Sequence, residues 1–153
     1  MESGTAKKYA MRGLWAIFVA TLVVATLSPG QQAPTHQGGN GAKASVSITG
    51  VPHAGAGGSE AMEAISGSAR GVDYAKHKIV IYAFAGGTWW VQPTIANPFT
   101  DIDTAGKWET DTHLGSSYAA LLVKDSFKPS ATLGALPGVQ GDVVAVVRVA
   151  GLR

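Results

Sequence analysis

The chain divides into one long apolar run near its start and, beyond it, short stretches in which apolar and polar residues alternate. The first of these is 44–49, where Val46 and Ile48 alternate with Ser45, Ser47 and Thr49 before Gly50, Val51 and Pro52. A period of two followed by a turn signal predicts a half-buried strand. A shorter strand is predicted at 65–70, where Gly67 suggests a bulge or a sheet edge. The strongest pattern is 78–85 (KIVIYAFA), rich in β-branched and aromatic residues. It puts Ile79, Ile81 and Ala83 on one face and Val80, Tyr82 and Phe84 on the other. Gly86-Gly87 predicts a tight turn into a second arm at 88–92 (TWWVQ), closed by Pro93. Asp101, Asp103 and Gly106 predict a turn feeding a strand at 107–110. The run 118–124 (YAALLVK) is expected to be buried on both faces, and 142–149 (DVVAVVRV) reads as the last strand. Between them, 126–141 holds two prolines and three glycines and predicts a long ordered loop. About seven short strands with turn signals between them predict an all-β, two-sheet sandwich. No helical period longer than two turns follows Leu27.

The long apolar run, 13–27 (GLWAIFVATLVVATL), carries no charge, follows Lys7, Lys8 and Arg12, and ends at Ser28-Pro29-Gly30. Basic flank, apolar run and small-residue exit are the layout of a secretory signal peptide. The run is short against the roughly 20 residues that span a bilayer, though about 17 suffice. Residues 1–30 are therefore expected to be a signal peptide or, if retained, a single-pass signal anchor. Candidate cleavage points lie before Gln31 (Ser28 and Gly30) and before Thr26 (Val23 and Ala25). Either way the remainder is expected outside the cytoplasm, because the positive flank stays inside. Residues 31–43 (QQAPTHQGGNGAK) have no periodicity and predict a flexible linker with His36 in solvent, leaving 44–153 as the folded domain.

Charge changes little once it is located. The net charge is +2, but setting aside Lys7, Lys8, Arg12 and Glu2 leaves nine basic and nine acidic residues from 31 onward. A neutral body excludes nucleic acid as a partner class. Charged residues make up 14% of the chain, against about 25% in an average soluble domain. That suits Thr, Ser and Gly strand surfaces rather than a solvated helical bundle. The chain has no cysteine, so disulfides, thiol chemistry and Cys-ligated zinc are excluded and packing alone must hold the domain.

The segments KIVIYA (78–83), TWWVQP (88–93), DIDTAGKW (101–108), THLG (112–115), YAALLV (118–123) and ATLGALP (131–137) together resemble an immunoglobulin-like β-sandwich module of secreted bacterial proteins. The resemblance spans 46–149, and its most specific pieces are WWVQP and the Asp-x-x-Gly-x-Trp turn into a strand. Such modules accompany carbohydrate-active enzymes or cell-surface proteins. The resemblance implies an immunoglobulin-like sandwich of about seven strands that binds, spaces or packs rather than catalyses. No enzyme partner accompanies it in this sequence, which directs attention to adhesion, assembly or free ligand binding.

Trp89 and Trp90 are neighbours in a strand and must face opposite ways. One is expected to enter the core and the other to meet solvent or a partner, with Tyr82 or Trp108 beside it. Exposed aromatic rings stack on sugar faces. The blander alternative covers both rings, one by the core and one by the 126–141 loop, with Trp108 packed inward. Asp101, Asp103, Glu109 and Asp111 lie close together but lack a complete calcium loop, and are expected as turn-forming, solvated carboxylates. Nothing sets two of them across a cleft for glycoside hydrolysis. His53, His77 and His113 show no His-x-x-x-His spacing and are expected at the surface. No Gly-x-Ser-x-Gly elbow occurs, and the glycine-rich stretches at 38–41 and 55–58 lack a following Lys-Ser/Thr. No catalytic residue, metal site or cofactor is expected.

The expected function is a non-catalytic extracytoplasmic binding module for a glycan or cell-envelope polymer, with Trp89, Trp90, Tyr82 and Trp108 as ligand-binding candidates. The alternative is a structural subunit of a surface assembly or filament, self-associating through the edge of strand 142–149. Membrane contact is expected only through 13–27, if that run is retained.

Overall fold

In the computed structural model, which describes residues 42–153, the segment densest in β-branched and aromatic residues is the central strand of the larger sheet. The apolar run at 13–27, the exit at 28–30 and the linker as far as residue 41 lie outside the described residues. Eight strands follow in chain order: β1 (Ser45–Gly50), β2 (Met62–Arg70), β3 (His77–Ala85), β4 (Thr88–Gln92), β5 (Lys107–His113), β6 (Ser117–Lys124), β7 (Thr132–Leu133) and β8 (Val143–Ala150). They form two sheets, β1-β2-β5 and β7-β4-β3-β6-β8, in which every named pairing is antiparallel. The described residues are all-β and sandwich-like, with no helix among them.

Alternation along β3 divides the core in two. Ile79, Ile81 and Ala83 pack with Tyr118, Ala120 and Leu122 of β6 against Ile65, Ala69 and Trp108 of the smaller sheet. Val80 and Tyr82 point the other way and join Ala119, Leu121 and Val123 in a second apolar cluster. That outer face would be wet in a simple sandwich. Here 126–141 crosses it, bringing Phe127, Leu133 and Leu136 onto the cluster. Residues Ser117–Val123 are consequently all buried, as the unbroken apolar run predicted.

Two elements differ from the sequence reading. The long loop contains β7, whose two residues pair with β4 as Trp89↔Leu133 and Trp90↔Thr132; so short a strand has no alternation to detect. Strand β2 is central in its sheet rather than at an edge, and the bulge lies opposite it, on β1, where the register shifts between Ile48 and Gly50. A second bulge shifts the β6–β8 register: Leu122 pairs with Ala145 and Val123 with Val143. This leaves Val144 as an extra residue, so Val143 faces the outer cluster while Val144 and Ala145 both serve the inner core.

Candidate functional site

The β3–β4 hairpin sets the positions of the aromatic candidates. It turns at Gly86 and Gly87, both at positive φ (59° and 81°), in the two-residue form that matches strand twist. Trp89, opposite Phe84, falls on the outer face, and Trp90, opposite Ala83, on the inner. The outer face is roofed by the 126–141 segment, so Trp89 is only 4% exposed. Its ring lies 4.9 Å from that of Phe84, and the Arg148 guanidinium sits over it at 5.1 Å.

The inner face has the opposite fate at this strand. The larger sheet is five strands wide and the smaller only three, so β4 extends past most of what faces β3 and β6. Trp90 is left 49% exposed. The indole is nevertheless held in place, because Nε1 donates to the Ala85 carbonyl at 3.2 Å. It lines a groove of about 420 Å³ together with Ala83, Ala85 and Gly57–Ser59. Gly57 sits so close to Ala85 that an added Cβ would lie 2.6 Å from the alanine methyl.

Gln92, His113 and Leu114 also line the groove. Gln92 is 4% exposed and ties the two sheets at this side. Its Oε1 accepts the backbone N–H of His113 at 2.9 Å, and its Nε2 donates to the Trp90 carbonyl at 3.2 Å. Nδ1 of His113 lies 2.9 Å from the same Oε1. The histidine is half-buried rather than a free surface residue, a difference from the sequence reading caused by the Gln92 clamp. Neither residue was singled out as a site candidate: Gln92 and His113 are 21 positions apart on strands of different sheets, and no spacing rule links them.

The four sequence candidates are divided: Trp89 and Tyr82 share the outer cluster, Trp108 lies in the inner one, and Trp90 lines the groove. Tyr82 is fully buried on the outer face, its hydroxyl donating to the Ser130 carbonyl at 2.9 Å, and burial pushes its phenol above the usual range. Trp108 is 3% exposed in the inter-sheet core. With Trp89 roofed, Trp90 alone offers a ring face to a ligand.

Of the acidic residues, Asp103 serves the turn, while Glu109 and Asp111 stand exposed on β5. Oδ1 of Asp103 accepts the Ala105 and Lys107 N–H groups at 2.8 and 2.7 Å, and Asp101 pairs with Lys78. Among the described residues no three His, Asp or Glu side chains are grouped to hold a metal ion. Outside the groove, His53 donates its backbone N–H to Glu63 at 2.9 Å and lies beside it through Nδ1, which holds that carboxyl below its ordinary value. No family model, curated protein or solved structure matches the chain.

Proposed function

We propose that the domain is a non-catalytic extracytoplasmic binding module that seats a glycan or cell-envelope polymer against Trp90. The observation that carries this reading is the half-exposed, anchored Trp90 ring at the wall of an otherwise apolar groove. A pyranose has an apolar C–H face and a rim of hydroxyls. An indole in a largely apolar lining whose polar side chains are Gln92, His113 and Ser59 is its complement. Holding the ring in advance lowers the ordering cost of binding.

The immunoglobulin-like reading has two supports. First, second and fifth strands share one sheet, while third, sixth and last share the other with β4 beside β3, which is the immunoglobulin order. The Tyr118 hydroxyl, at the start of β6, accepts the Gly115 N–H three residues upstream at 3.0 Å, as in a tyrosine corner. Export rests on the basic flank and apolar run of 1–30.

The strand-edge alternative has β8 as its candidate, since only β6 lies beside it. That edge is blunted at both ends, by the bulge at Val144 and by Leu152, whose neighbourhood pairs with Pro52–Ala54. Bulges and covered ends are how proteins suppress edge pairing, so the groove is the stronger reading.

The test is a glycan array, followed by calorimetry on the full chain. Trp90→Ala should weaken binding about tenfold or more, from the lost stacking and apolar area. Trp89→Phe, behind the roof, should leave affinity within about twofold. Binding indifferent to Trp90→Ala would sink the proposal.

A further inference from the structure

The Gln92–His113 clamp leaves one ring nitrogen free, and its chemistry is fixed by the groups around it. Gln92 Oε1 faces the His113 N–H, and Nε2 faces the Trp90 carbonyl. Reversing the amide would set N–H against N–H and oxygen against oxygen, so its orientation is determined. An amide oxygen only accepts. Nδ1 of His113, 2.9 Å away, must therefore carry a proton. In the neutral imidazole Nε2 is then a bare acceptor. Gln92 Oε1 already takes two N–H groups and has no capacity left. His113 lines the groove, and among the described residues no hydrogen bond engages its Nε2.

We propose that His113 is a specificity-determining residue of the groove, held by Gln92 with its proton on Nδ1 so that Nε2 accepts a hydrogen bond from a hydroxyl of the sugar stacked on Trp90. The assignment rests on the glycan reading above and narrows it. A ligand must bring a donor to this point, and one that presents only ether or carbonyl oxygens meets an opposing lone pair and is refused.

Two substitutions separate recognition from scaffolding. His113→Asn places an amide N–H where Nδ1 donates to Gln92 and removes the distal acceptor. His113→Gln reaches the Nε2 position with an acceptor oxygen and gives up the clamp. The probes are hexasaccharides of β-1,4-linked glucose, xylose and N-acetylglucosamine, titrated against the full chain by calorimetry, with Trp90→Ala as control. His113→Asn should bind about three- to tenfold more weakly than the unsubstituted protein, the worth of one hydrogen bond. His113→Gln should stay within about threefold of it. A scaffolding role gives the reverse order.

Nitrogen-15 NMR of the neutral imidazole, recorded at alkaline pH without any ligand, should place its proton on Nδ1. A proton on Nε2 in the neutral ring overturns the assignment on its own. Binding that needs Trp90 but is equal in the two His113 variants overturns it too and leaves the glycan reading standing. If the unsubstituted protein binds none of the three probes, both fall together.

Discussion

Gly67 carries a constraint that its sequence neighbourhood only half discloses. A glycine inside a strand pattern marks a bulge, an edge or a close approach, and the pattern does not say which. In the fold, Gly67 lies between Ile48 of β1 and Trp108 of β5. The indole crosses the space where a side chain would stand: a Cβ there would collide with the Trp108 ring and with the Ser47 carbonyl. Burial of the largest aromatic in the inner core thus depends on an absent methyl group on the adjacent strand. Gly67→Ala should cost about 1–3 kcal/mol through overpacking. In thermal melts of the full chain that corresponds to a fall of more than about 5 °C. An unchanged melting temperature would mean that the indole is not seated on this residue. The same limit explains the aromatic candidates. Alternation set Trp89 and Trp90 on opposite faces, but only the full sheet order decides which face is roofed.

At the scale of elements, the strands were the legible part and the 126–141 segment was not. Seven of the eight strands left a period of two or a β-branched run. The run 118–124 even signalled burial on both faces, which requires a cover for the outer side. What supplies that cover could not be read, because Phe127, Leu133 and Leu136 are isolated apolar residues among turn formers. Beyond the short β7–β4 pairing, the segment is tied to the sheet by the Val91 N–H to the Ala131 carbonyl at 3.0 Å and by the Tyr82 hydroxyl to the Ser130 carbonyl at 2.9 Å. Tyr82→Phe keeps the ring and deletes only the second bond, at a cost of about 0.5–1.5 kcal/mol. Hydrogen exchange should therefore quicken at the Val91 amide and within 127–136, while the β3–β6 amides keep their protection. Equal protection in the variant and the parent would show that apolar contact alone holds the cover down. The candidate site divides in the same manner. Trp90 was visible as one of a pair, whereas His113 and Gln92 acquire their roles only where β5 meets β4.

At the scale of the whole molecule, the two clusters each lean on a phenol. Tyr82 serves the outer one through Ser130. Tyr118 closes the inner one, accepting the Gly115 N–H at 3.0 Å and donating to the His53 carbonyl at 2.6 Å. The second bond ties the connection between β1 and β2 to the start of β6, at the end where Leu152 also pairs with that connection. Burial pushes both hydroxyls above the ordinary tyrosine value, against the opposing effect of their backbone partners. The sign of the consequence follows directly. A raised folded value means that the native state holds its phenol protons to higher pH than the unfolded chain does. The resulting stability is complete below the unfolded value of about 10 and is lost as pH rises through the folded one. Stability should thus carry no contribution from these groups to its pH dependence between about pH 6 and 9. Above about pH 10 it should fall by up to roughly 1.4 kcal/mol per pH unit for each phenol. Urea midpoints at stepped alkaline pH would measure it. Tyr82→Phe combined with Tyr118→Phe should start from a lower midpoint, because three hydrogen bonds are gone, yet decline with a shallower slope. If the double variant declines as steeply as the parent, the alkaline lability lies in other groups and the two clusters do not titrate with the fold.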